Sequence, residues 1–261
     1  MLAMTRKLQR ALGNHTLGIA SYAPPATLAG SLHNQSPTED GVTTFEVAAG
    51  GYARASLTGL MSPANASTGI SRLDHVVNIG PATANWGVVT YFGIHDDVGD
   101  MIFYGALNPS QSVETGQQFQ LTPGQLTVAI TEGATLWLAK KLLDHVLVGI
   151  PWTMPTAIRL ALHLASPTNA GSVAAECTGG GYARPNLTGL MSTFDLASGV
   201  STLATDVNIG PATNDWGAIT DGSLHDQAGN MLIFGQSQEA QIVPIGESFR
   251  LKAGRFAIPF R

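Results

Sequence analysis

The chain repeats itself. Gly-Gly-Tyr-Ala-Arg at 50–54 recurs at 180–184, and Asn-Ile-Gly-Pro-Ala-Thr at 78–83 recurs at 208–213, so both pairs stand 130 residues apart. The same offset relates Leu57–Ser62 to Leu187–Ser192, Trp86-Gly87 to Trp216-Gly217 and His95-Asp96 to His225-Asp226. From Gly51 to Gly124, 34 of 74 positions are identical to their counterparts without a gap. A period this long means two whole domains, because solenoid repeats are far shorter. The expected boundary lies in the polar stretch Thr131–Ala134, which gives domains 1–132 and 133–261.

Within each copy, a helix comes first. Leu8, Leu12, His15 and Ile19 form one helical stripe, repeated as Leu138, Leu142 and His145 beside Ala139, Leu143 and Val146. Prolines 24 and 25, and later Pro151 and Pro155, are expected to end these helices or open the next extended segment. Short apolar runs cut by Gly, Pro, Asn and Ser then predict strands over 43–47, 52–58, 69–79, 87–94, 101–107, 118–121 and 126–130. The expected fold class is therefore mainly β. It consists of two tandem antiparallel β-sandwich domains, each preceded by a short N-terminal α-helix.

Composition excludes several function classes. Only 12% of the 261 residues are charged, against ~25% in typical domains, so Ser, Thr, Asn, Gln and Gly must carry the surface. A net charge of −5 argues against nucleic-acid binding through a basic face. The lone Cys177 excludes an internal disulfide framework and a cysteine zinc site. No apolar run is long enough for a membrane span, and the N-terminal residues lack a secretory core. The expectation is synthesis in a cytoplasm, so the sequons at Asn14, Asn65 and Asn186 carry little weight.

Six recurring residues form the expected structural signature: Tyr52, Arg54 and Trp86, with Tyr182, Arg184 and Trp216. Strand alternation puts Tyr52 and Arg54 on one face. Arg54 is expected to bond loop carbonyls or lie on the Trp86 ring, and the tryptophans to anchor the core. In Asn-Ile-Gly-Pro-Ala-Thr a strand passes into a turn through a glycine of unusual φ.

No active site is expected. His95-Asp96 and His225-Asp226 are poor dyads, because neighbours in a strand point to opposite faces. No nucleophile elbow or phosphate loop is present. Histidines 15, 33 and 95 recur as 145, 163 and 225 but lack metal-ligand spacing, so no metal and no cofactor are expected. Asp96, Asp97 and Asp100 faintly suggest a calcium loop, yet the second copy reads Gln227 and Asn230, and a hairpin turn explains both. Glu46, Glu114, Glu176 and Glu239 are read as unrelated acidic positions, which leaves a glycosidase-like carboxylate pair without support.

These motifs, in this order, resemble a family of tailed-phage virion proteins. The shared pattern is a short helix, a Gly-Gly-Gly-Tyr-Ala-Arg strand, a Pro-Ala-Thr-x-x-Trp-Gly turn and an Asp-x-x-Gly turn. The first copy departs from it by reading Ala-Gly-Gly. Family members are usually single units, described as head decoration or tail-fibre proteins. The resemblance implies a non-enzymatic virion structural protein. The leading expectation is a capsid decoration (cement) protein on the outer surface of the capsid. Its partners would be the major capsid protein and further copies of itself, a homotrimer being one such arrangement. The alternative is a tail-fibre or receptor-binding protein that contacts tail proteins and recognises the host through loops. Tyr91-Phe92, replaced by Asp221-Gly222, is its candidate for a copy-specific aromatic tip.

Overall fold

The computed structural model describes residues 1–130, 133–254 and 256–259. The expected boundary at 132/133 falls partly on Glu132, outside the described residues. Contacts divide the chain into two compact units. Unit 1 comprises Met1–Gln9, Ala23–Ile130 and Ala139–Trp152; unit 2 comprises Arg10–Tyr22, Thr131–Leu138 and Thr153–Arg261. The units follow the repeats through the strands and depart from them at the helices.

In the first repeat the elements are β1 (Ala3–Met4), α1 (Arg6–Thr16), β2 (Ala29–His33), β3 (Ala55–Ser56), β4 (Ile70–Arg72), β5 (Val77–Ile79), β6 (Gly87–His95), β7 (Met101–Val113), β8 (Phe119–Leu121) and β9 (Thr127–Ala129). The main sheet has the order β1-β7-β6-β2-β3, and two ribbons, β4-β9 and β5-β8, complete the strand set. Every one of these strand pairs is antiparallel. The fold is mainly β, as the sequence predicts.

The second repeat carries α2 (Leu136–Leu143), a π-helical turn (Asp144–Val148), β10 (Arg159–His163), β11 (Val200–Thr202), β12 (Val207–Ile209), β13 (Ala218–His225), β14 (Met231–Ile242), β15 (Phe249–Leu251) and β16 (Ala257–Pro259). Its main sheet is β10-β13-β14, with ribbons β11-β16 and β12-β15.

Both helices begin at a threonine cap. Thr5 Oγ1 accepts from Leu8 N at 3.4 Å, and Thr135 Oγ1 accepts from Leu138 N at 3.2 Å. The same hydroxyls donate to Met101 O and Met231 O, which ties each cap to a strand. The predicted stripe is buried at Leu8, Leu12 and His15; Ile19 lies past the end of α1. His15 and His145 each accept a backbone N–H through Nδ1, from Tyr22 at 2.9 Å and Trp152 at 3.0 Å.

Several strand expectations need correction. Residues 43–47 form only an isolated bridge, His33 to Glu46. The run 52–58 shrinks to β3, and 69–79 splits into β4 and β5 around Leu73, whose N–H turns to Leu126 O. β2 is absent from the sequence reading because Ala-Gly-Ser-Leu-His has little intrinsic strand preference; its pairing with β6 creates it. Gly80 takes φ +111 where Asn-Ile-Gly-Pro-Ala-Thr turns, as that motif requires.

Central strands β2 and β6 are buried on both faces over most of their paired length. Alternation gives the two faces different chemistry. Leu32, Phe92 and Ile94 point one way into apolar core, while Ser31, His33, Gly93 and His95 share the other face. That second face holds the candidate site.

Candidate functional site

A carboxylate organises the loop that closes over the polar face. Arg54 donates to Glu46 through Nε and Nη2, both at 2.7 Å, in a two-pronged pair. Tyr52 OH donates to Glu46 Oε1 at 2.8 Å and accepts from Leu32 N at 3.1 Å, which fastens the loop to β2. The Tyr52 ring stands edge-on to Trp86, with centroids 5.6 Å apart and planes at 88°. Trp86 is buried, and its Nε1 donates to Gly50 O at 3.0 Å.

The second repeat reproduces this set. Tyr182 OH reaches Glu176 at 3.1 Å and Leu162 N at 3.0 Å, and Arg184 Nε donates to Glu176 at 2.7 Å. Tyr182 meets Trp216 at 5.6 Å, and Trp216 Nε1 donates to Gly180 O at 2.9 Å. All six signature residues are thus drawn together, three in each unit. The expected arginine contacts need revision: the guanidinium pairs with a carboxylate, and it is the tyrosine that meets the tryptophan. Reading Glu46 and Glu176 as unrelated is also corrected, since they stand at the 130-residue offset and hold equivalent partners.

Beneath the loop lies a buried chain of histidines and a hydroxyl. Ser31 Oγ is 2.8 Å from Nε2 of both His33 and His95, and all three residues are fully buried. Proton positions follow from the ends of the chain. His95 Nδ1 lies 3.1 Å from Gly99 O, and a carbonyl can only accept, so Nδ1 carries the proton. In a neutral ring His95 Nε2 then accepts from Ser31 Oγ–H, and Ser31 Oγ accepts from His33 Nε2–H. His33 Nδ1 is left as a bare acceptor, and it is a buried atom without a hydrogen-bond partner.

The second repeat builds the same chain with the hydroxyl on the other strand. Ser223 Oγ lies 2.7 Å from His163 Nε2 and 2.9 Å from His225 Nε2, while His225 Nδ1 donates to Gly229 O. Ser31 pairs with Gly93 across β2 and β6, whereas Ala161 pairs with Ser223 across β10 and β13. The reason is steric. A Cβ on Gly93 would sit 2.6 Å from Ser31 Oγ, so there is room for one hydroxyl between the histidines, from either strand. His163 Nδ1 repeats the unpartnered acceptor.

Burial sets the charge states. Desolvation lowers His33 to about 4, and it likewise depresses His95, His163 and His225. For Glu46, burial works to raise the pKa, but the hydrogen bonds from Arg54 and Tyr52 outweigh it and hold the carboxyl below its ordinary value. Burial pushes the Tyr52 phenol up. At neutral pH a charged Glu–Arg pair therefore caps a neutral imidazole–hydroxyl chain.

This arrangement suits rigidity. His33, Glu46 and His95 offer ligand atoms within 4.8 Å of one another, the geometry a metal could use. Most of their lone pairs and protons are committed to Ser31, Gly99, Arg54 and Tyr52, while His33 Nδ1 has no hydrogen-bond partner. The Ser31 hydroxyl is fully buried. The Asp96 turn is closed by its own backbone, with Asp100 N donating to Asp96 Oδ1 at 2.8 Å, and Asp100 pairs with Lys7. Tyr91-Phe92 is no loop tip: both lie within β6, and Phe92 is fully buried. In unit 2 the substituted Asp221 lines a depression of about 500 Å³ together with Ser166, Thr220, Phe234 and Gln236.

One family model, described as podophage GP4 fiber I protein gp80, matches residues 3–129 and matches again over 133–258. The chain belongs to this family. It is a phage virion structural protein carrying two tandem family units. Both matches span a complete Glu–Tyr–Arg–Trp set and a complete histidine chain. No curated protein matches the chain. Among the described residues no helix is long and apolar enough to cross a membrane.

The offset comparison misses the serines because the hydroxyl changes strands, so neither serine has a serine at its counterpart. The signal that would reveal them is reciprocal: Ser31 with Gly93 becomes Ala161 with Ser223.

Proposed function

We propose that the chain is a non-enzymatic component of a phage tail fibre and contacts tail proteins and further copies of itself. The observation that carries this reading is the double match to a family named for a fibre. It favours the fibre over the capsid decoration that the sequence leads with. The buried networks support a mechanical role, since most of their polar groups hold strands and loops in place. Bulges in which four residues face one, Leu107–Ser110 opposite Thr90 and Ser237–Ala240 opposite Thr220, offer surface for recognition on that fixed frame.

Competition with the phage tests this. Purified full-length protein added to host cells should slow adsorption of the phage if the chain contributes to receptor contact. Unchanged adsorption, combined with rebinding of the protein to stripped heads and a rise in their melting temperature, would return the cement reading.

A further inference from the structure

Each unit contains helical residues from the other repeat, and the contact positions have traded size. Within unit 2, Asn14 Oδ1 of the first repeat accepts from Phe194 N at 2.9 Å. Within unit 1, the equivalent Asp144 Oδ1 accepts from Ala64 N at 2.7 Å, and Lys140 Nζ donates to Ala64 O at 3.0 Å. Asn14 and Asp144, like Ala64 and Phe194, stand at the 130-residue offset, so one docking contact is made twice.

Its packing partners are opposite in the two units. Gly13 precedes Asn14, and a Cβ there would sit 2.5 Å from the Phe194 ring, which is itself 1% exposed. Leu143 precedes Asp144 and is 1% exposed, and the residue facing its helix is the small Ala64, 3% exposed. Thus a helix glycine goes with a large aromatic, and a helix leucine goes with a methyl.

We propose that these four positions make the two repeats a matched pair: the N-terminal half of each helix stays with its own repeat, and the C-terminal half is shaped to dock on the strand body of the other repeat and ill-suited to its own. The partner surface on each body is the patch around Ala64 or Phe194, and its occupant is the C-terminal half of the other repeat's helix. The shared Asn/Asp hydrogen bond sets the register, and the size of the facing residue sets the choice. Self-docking would bring Gly13 to Ala64, which leaves a void, and Leu143 to Phe194, which overfills the site. The tandem fusion supplies the correct partner at high effective concentration. This inference stands on packing and does not depend on where the protein sits in the virion.

The test is a double-mutant cycle on the full chain, read by thermal melting. Gly13→Leu should lower Tm by roughly 5–10 °C through overpacking, and Phe194→Ala should lower it comparably through a cavity. The double variant recreates the Leu143–Ala64 combination in unit 2 and should regain at least half of the summed loss. Should Gly13→Leu alone fail to fold, the double variant must still fold. A double variant no better than the sum of the singles, or one that also fails to fold, overturns the proposal. So does a harmless Gly13→Leu. The reciprocal cycle, Leu143→Gly with Ala64→Phe, must give the same pattern in unit 1.

Discussion

Ser31 and Gly93 face each other across two buried strands, and 130 residues later Ala161 and Ser223 hold those places with the hydroxyl on the opposite strand. What is retained is the oxygen between two histidines. Ser31→Ala should therefore cost about 2–4 kcal/mol, since it strands a buried donor and a buried acceptor together. Adding Gly93→Ser should restore most of that, because the second repeat already uses this combination. Denaturant unfolding of both variants checks it. Equal stability of the single variant and the parent would mean that the hydroxyl is incidental.

Arg54→Ala should destabilise unit 1 by about 1–2 kcal/mol, a value discounted because the guanidinium is partly exposed. Arg54→Lys should recover little, as one ammonium cannot make the paired Nε and Nη2 contacts. Chemical denaturation followed by Trp fluorescence reports the change directly, because Trp86 adjoins Tyr52 in the same assembly. A fully tolerated lysine would sink the two-pronged account.

Acid should weaken the protein in two stages. The buried histidines bind protons less readily folded than unfolded, so the unfolded state takes up more protons as pH falls from 6.5 toward the His33 value of about 4. Stability contributed by neutral histidines is thus complete above about pH 6.5 and is lost on descent through that window. Glu46 and Glu176 act with the same sign at lower pH: their lowered carboxyls stabilise above the ordinary value of 4.5 and lose that contribution below it. Melting temperatures between pH 7.5 and 4 should fall first over the histidine range. A flat profile down to pH 4.5 would contradict buried neutral imidazoles.

Thr38 and Thr168 occupy the left-handed region with φ of 60 and 57, unfavourable for a β-branched residue. Thr38→Gly should stabilise unit 1 by about 1 kcal/mol, in contrast to the usual effect of introducing glycine. A loss of stability on calorimetry would mean that the threonine side chain contributes more than its backbone strain costs.

Much of the architecture is legible in the sequence because repetition marks it. The threonine-capped helices, the turn glycines and the tryptophans recur at one offset and land in equivalent places. Features created by pairing are less visible. β2 has weak strand character of its own, and Glu46 meets Arg54 through a loop whose course no local pattern reveals. The serine and the helix-docking residues escape an identity comparison for a related reason. Selection there has preserved a sum over two contacting positions, and each position taken singly has changed.

Localisation on the intact virion tests the central claim most directly. Antibody labelling, or a reconstruction of the particle with this fold placed in its density, should put the protein on fibres attached to the tail. Density spread over the head at hundreds of copies, with none at the tail, would contradict the fibre assignment and restore capsid decoration.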